Sequence, residues 1–206
     1  MDRKNWEIVT GCERLTPGCD SCPSYWEYKE KGLDYNPVFN DSLLREPIDN
    51  NIPTQYLVAL GSDIFHEAVK PEEIAAVFDV IRESKHHWFE IATKRVERMH
   101  CLMKGIEWPI NVSLSVSIES SEYLWRLEYL KSCGAKFKAV SMVPLLGGIG
   151  KADFAGVHLV GIQPETWGFK RPMRDEWAEE IETQCNEQGV MFLNGEIDLY
   201  KKREVA

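Results

Sequence analysis

The sequence predicts an α/β fold with a parallel sheet, an incomplete TIM-like barrel of six or seven strands in one domain spanning residues 1–206. Two observations carry this expectation. Short apolar runs of strand length alternate with segments whose apolar residues recur at helical spacing, and parallel neighbours need a crossover that a helix usually supplies. The polar residues with chemical potential also follow the strand-like runs, where α/β folds hold their sites. A doubly wound open sheet is the alternative topology.

Residues 6–10 read as the first strand, followed by a cysteine loop at 11–23 and a short helix at 25–31. An Asn-, Asp- and Pro-rich stretch, 34–53, reads as a long irregular connection. Regular alternation begins at the strand 55–60. Pro71-Glu72-Glu73 then starts a helix, continued by Ile74, Val77, Phe78 and Ile81 on one face. A strand at 87–92, a helix at 96–104, a strand at 111–117 and a helix at 121–133 carrying Leu124, Leu127 and Leu130 follow. Strands at 136–142 and 157–162, a helix at 174–187 and a strand at 190–193 complete the pattern.

A formal net charge of −9 excludes a protein that coats nucleic acid nonspecifically, because that mode needs many Lys and Arg side chains on phosphates. Local basic groups remain at Lys94-Arg95 with Arg98, at Lys170-Arg171 with Arg174, and in the tail Lys201-Lys202-Arg203. No apolar run approaches the roughly 20 residues needed to cross a bilayer, and the N-terminus leads into no apolar signal region. The expectation is a soluble cytoplasmic protein with no membrane partner. In a reducing compartment a tight cysteine group is a metal or cluster site rather than a disulfide framework.

Such a group is present. Cys12, Cys19 and Cys22 fall within eleven residues with the spacing C-x6-C-x2-C, whereas Cys101, Cys133 and Cys185 are scattered singly. A structural zinc site takes four Cys or His ligands, and the nearest histidine in sequence is His66. A [4Fe-4S] cluster held by three thiolates instead leaves one iron open for a small molecule. Other strand-end candidates are Ser62-Asp63 with His66-Glu67, then Thr93-Lys94-Arg95, then Ser117 and Glu119, then Gln163, Glu165, Lys170 and Arg171. Asp63 and Glu119 read equally as caps of the turns that follow them. His66 reads as an ordinary hydrogen-bonded group, with proton donation or metal ligation as its alternatives.

Taken in order, Gly11-Cys12 through Cys22, Ser62-Asp63-Ile64-Phe65-His66-Glu67, Thr93-Lys94-Arg95, Ser115-Val116-Ser117-Ile118-Glu119, Pro144-Leu145-Leu146-Gly147 and Arg171-Pro172-Met173 form a series. The series resembles a phage-associated family with a three-cysteine motif, which looks like a divergent branch of the radical S-adenosylmethionine (SAM) superfamily. The resemblance covers residues 5 to 193. It implies a radical SAM-type partial barrel. Its cofactors are a [4Fe-4S] cluster on Cys12, Cys19 and Cys22 together with SAM, and an external one-electron reductant serves as partner. On that reading Ser62, Asp63, Lys94, Ser117 and Glu119 bind the cofactor. Arg95, Gln163, Trp167, Lys170 and Arg171 face the substrate, with Trp167 suited to stacking on a base. The substrate expected is a modified nucleobase or nucleotide of phage DNA, acted on in the host cytoplasm. Where the family has Tyr-Ala after the third cysteine, this chain has Pro23-Ser24, and where it has Glu before the Pro-Leu-Leu motif, this chain has Val143. Departures on the substrate side imply a specialised substrate. The competing expectation is a zinc- or cluster-stabilised binding module that docks on a phage or host protein. The sequence sets no oligomeric state.

Overall fold

The computed structural model describes residues 1–195, so the basic tail at Lys201, Lys202 and Arg203 lies outside the described residues. Seven strands form one parallel sheet: β1 (Asp2–Trp6), β4 (Thr54–Val58), β5 (Trp88–Thr93), β6 (Val112–Ser117), β7 (Phe137–Met142), β8 (Leu159–Ile162) and β9 (Met191–Asn194). Their order across the sheet follows their order in the chain. A doubly wound sheet reverses its strand order at a switch point, and this sheet has none. The sheet is not closed into a barrel, because β1 and β9 are its two edges.

Between β1 and β4 lie β2 (Val9–Thr10), a 3-10 turn at Pro17–Ser21, α1 (Pro23–Glu30), β3 (Val38–Phe39) and α2 (Glu46–Asp49). The expected first strand at 6–10 is therefore two strands. β1 ends at Trp6, and β2 pairs antiparallel with β3 in a separate ribbon. Periodicity missed β1 because it is an edge strand whose Asp2, Lys4 and Asn5 face solvent, which leaves no apolar alternation to read. The stretch expected to be irregular at 34–53 is anchored onto the sheet. Trp6 Nε1 donates to the Leu43 carbonyl at 2.8 Å, and His87 Nε2 donates to that of Pro47 at 2.9 Å.

The remaining elements are α3 (Pro71–Glu83), α4 (Val96–Met103), α5 (Arg126–Ser132) and α6 (Asp175–Gln188). α3 begins as its sequence dictates: Pro71 occupies the first turn, and the Glu73 carboxylate accepts the Lys70 backbone N–H at 2.8 Å. The single helix expected at 121–133 is instead a 3-10 turn at Ser121–Tyr123 followed by α5. There the Leu124 and Leu127 N–H groups donate three residues back, which tightens the entry to the helix. No helix lies between β7 and β8, where Pro144, Gly147, Gly148 and Gly150 break the pattern.

Residues matched across a parallel ladder share a face. Val58, Ile91 and Leu114 are matched in register and buried, packed in one core with Ile74, Val77, Phe78 and Ile81 of α3. Right-handed crossovers between strands in sequential order place the helices on one face. The other face carries small side chains, Ala92, Ser115 and Ala139 in one matched row, and Ala92 is exposed. The site lies at the carboxyl end of this open face.

Candidate functional site

The cysteine loop leaves β2 through Gly11, whose φ of +75° suits a residue without a side chain; a Cβ there would lie 2.1 Å from the Asn36 carbonyl oxygen. The Cys12 N–H donates to the Tyr35 carbonyl at 3.1 Å, and the Cys19 N–H to that of Thr16 at 2.9 Å within the 3-10 turn. Cys22 is the residue before α1, where Pro23 starts the helix. The Ser62 hydroxyl donates to the Gly11 carbonyl, tying the loop to the segment after β4. The three thiols are free, and all three border one cavity of about 430 Å³. Ser62, Asp63, Lys94, Arg95, Ser117 and Trp167 border the same cavity. Ser117 ends β6 and the others follow β4, β5 and β8, so the carboxyl ends of strands of one parallel sheet converge on the thiols.

Asp63 organises one wall. Its carboxylate accepts the Phe65 N–H at 2.9 Å, the Thr93 hydroxyl at 2.9 Å and the Lys94 N–H at 3.0 Å. It also faces Arg95 Nη1 at 3.4 Å. Asp63 thus holds the ends of β4 and β5 together, and its bond to the Phe65 N–H is the turn cap that its position in sequence allowed. Arg95 is buried; its Nε donates to Glu67 at 2.7 Å, and its Nη1 lies 3.7 Å from Cys12 Sγ. Burial pushes the Cys12 thiol up, opposed by the nearby guanidinium.

Glu119 organises the other wall from behind. It is 1% exposed and does not border the cavity. Its carboxylate pairs with Lys94, accepts the Thr16 hydroxyl at 2.6 Å and meets Arg126 Nη1 at 3.3 Å. Burial opposes its charge, but the Lys94 ammonium and the hydrogen bonds from Lys94 and Thr16 hold its carboxyl below the usual range. Lys94 Nζ reaches Thr16 Oγ1 at 3.0 Å and Cys19 Sγ at 3.5 Å. Against the upward push of burial, that ammonium and local hydrogen bonds lower the Cys19 thiol.

The loop after β8 closes against the cysteine loop. Arg171 holds the buried Glu165 through Nε at 3.0 Å and donates from Nη2 to the Pro17 carbonyl at 2.7 Å. The Phe169 N–H donates to Ser21 Oγ at 3.1 Å. Trp167, 46% exposed, stands at the cavity rim. Gln163, Lys170 and Arg171 do not border the cavity; Gln163 pairs through its backbone with Met142 and Leu145, and Lys170 is exposed. His66 is buried, and its Nδ1 accepts the Ala68 N–H at 3.0 Å, a local turn contact. Sequence reasoning passed over Thr16, Tyr35 and Arg126. Thr16 and Arg126 matter through Glu119, which lies 103 residues from Thr16, and no local pattern reports such a contact.

Among the described residues, no three His, Cys, Asp or Glu side chains are placed to share one ion. A tetrahedral zinc centre needs four donors about 2.0–2.3 Å from a single metal. An iron–sulfur cluster asks for something different, one thiolate for each iron it binds to the protein. Three thiols that border a common cavity, Cys12 beside the buried Arg95 and Cys19 beside the half-buried Lys94, suit that requirement. A search of curated proteins finds no match to the chain. A family model described as "Protein of unknown function (DUF5131)" matches residues 2–205, and the chain therefore belongs to the DUF5131 family.

Proposed function

We infer that the protein is a radical SAM enzyme whose [4Fe-4S] cluster is held by Cys12, Cys19 and Cys22. The observation that carries this reading is the convergence of three free thiols on one cavity with polar residues from adjacent parallel strand ends. The sequential strand order is also that of a partial barrel opened along one side, and the ordered motifs resemble the phage-associated three-cysteine family. When bound, the cluster and SAM supply one-electron cleavage of SAM to methionine and a 5′-deoxyadenosyl radical that abstracts a hydrogen atom from the substrate.

The residues of this chain bind, orient and shield. Ser62, Asp63, Lys94 and Ser117 form the cofactor side of the cavity, and Glu119 serves that side through Lys94. Trp167 forms the substrate side, an exposed ring suited to a base, and Arg95, held by Asp63 and Glu67, lines the cavity beside Cys12. Glu165 and Arg171 seat the loop that carries Trp167. The substrate class that follows is a modified nucleotide or nucleobase, and an external one-electron donor completes the reaction.

The test is an anaerobic assay with reductant, SAM and the full chain, reading methionine and 5′-deoxyadenosine. We expect cleavage that rises when nucleotides or modified DNA are added. Cleavage with no response to any nucleic-acid substrate would overturn the substrate class, and no cleavage would overturn the enzyme.

A further inference from the structure

Two of the three thiols have a cation of their own, Arg95 buried and Lys94 half-buried. Lys94 Nζ lies 3.5 Å from Cys19 Sγ, and Arg95 Nη1 lies 3.7 Å from Cys12 Sγ. Cys22 has instead a neutral hydroxyl, that of Tyr35 at 4.0 Å, which donates to the Gly61 carbonyl. The two cations are built in differently. Arg95 is spread over Asp63 and Glu67. Lys94 is held against its sulfur from behind by Glu119, itself braced by Arg126, whose Nη1 is fixed by the Ser117 carbonyl at 2.6 Å. A Cβ on Gly18 would come within 2.8 Å of Glu119 Oε1, so the turn that carries Cys19 packs directly on this carboxylate. With Lys94 Nζ committed to Thr16, Cys19 and Glu119, this ammonium is part of the wall rather than a free arm for a ligand.

We propose that Lys94 is a positioning residue that sets the reduction potential of the cluster through Cys19, and that Glu119 moderates it. The inference rests on the cluster reading above. Reduction adds one electron, and hence one negative charge, to a partly buried site. An ammonium donating to a ligating sulfur stabilises the reduced state more than the oxidised one. A neutral side chain at 94 makes reduction less favourable. A neutral side chain at 119 removes the counter-charge of the ammonium and makes reduction more favourable. A side chain with a merely architectural role predicts no such opposition of sign.

The experiment is a redox titration of the reconstituted 206-residue chain without SAM, followed by the electron paramagnetic resonance signal of the reduced cluster. Lys94→Met is expected to lower the potential by a roughly tenfold change in the reduction equilibrium, about 59 mV for a one-electron couple. Glu119→Gln keeps the side-chain shape and is expected to raise it, which covers the case in which Lys94→Met fails to fold. Iron-loaded variants whose potentials match the parent, or that shift in the same direction, would overturn the role of Lys94 and leave the cluster reading intact. A parent protein that takes up no cluster would overturn both.

Discussion

Asp63 and His87 show how a single residue here is decided by what its atoms accept. Asp63 reads in sequence as either a ligand-binding carboxylate or a turn cap. The structure gives it the Phe65 N–H, the Lys94 N–H and the Thr93 hydroxyl, so it caps and cross-links two strand ends while bordering the cavity. His87 Nδ1 accepts the Thr54 N–H at 3.1 Å, which requires the neutral ring, while Nε2 donates to the Pro47 carbonyl. Burial, the largest effect, lowers its pKa, and the neighbouring His86 adds to this. The unfolded chain therefore binds a proton before the folded chain does, and stability from this residue is complete above about pH 6.5 and falls as the pH drops below it. Urea midpoints across that range should decline in the parent and decline less in His87→Gln; equal slopes would contradict the assignment.

At the scale of elements, helix α3 and the central strands were legible because they are buried on one face or both and so carry the expected periodicity. β1 was not, because its exposed edge residues are free of that constraint, and the short ribbon of β2 and β3 has only two residues in each strand. The cysteine loop was legible by spacing, but not its clamp. The clamp joins Ser21 to Phe169 and Pro17 to Arg171 across the chain. It depends on Gly168, where φ is +62° and a Cβ would fall 2.5 Å from Ser21 Oγ. Gly168→Ala should therefore cost at least about 1–2 kcal/mol from the left-handed backbone alone. It should also speed hydrogen exchange of the Phe169 amide. Unchanged protection at Phe169 would mean that the loop is not held by this contact.

The whole molecule follows from strand order. Seven parallel strands in sequential order put helices on one face and gather every strand end along one edge of the other. This explains how residues as far apart as Cys12 and Trp167 border one cavity. The alternation of strands and helices disclosed the parallel sheet with its crossover helices, and the polar strand ends disclosed part of the cavity border. The pairings behind it were not legible: Lys94 and Glu119 read as separate cofactor-binding residues, not as partners, and Arg126 was passed over. The net charge of −9 coexists with Arg95 and Lys94 beside the thiols, so the basic character of the site is local. The measurement that tests the central claim most directly is iron content and visible absorption after anaerobic reconstitution. The parent and Cys133→Ala should each bind about four irons per chain, absorb near 400 nm and bleach on reduction, whereas Cys19→Ala should lose the band. A colourless parent protein holding a single zinc would contradict the account.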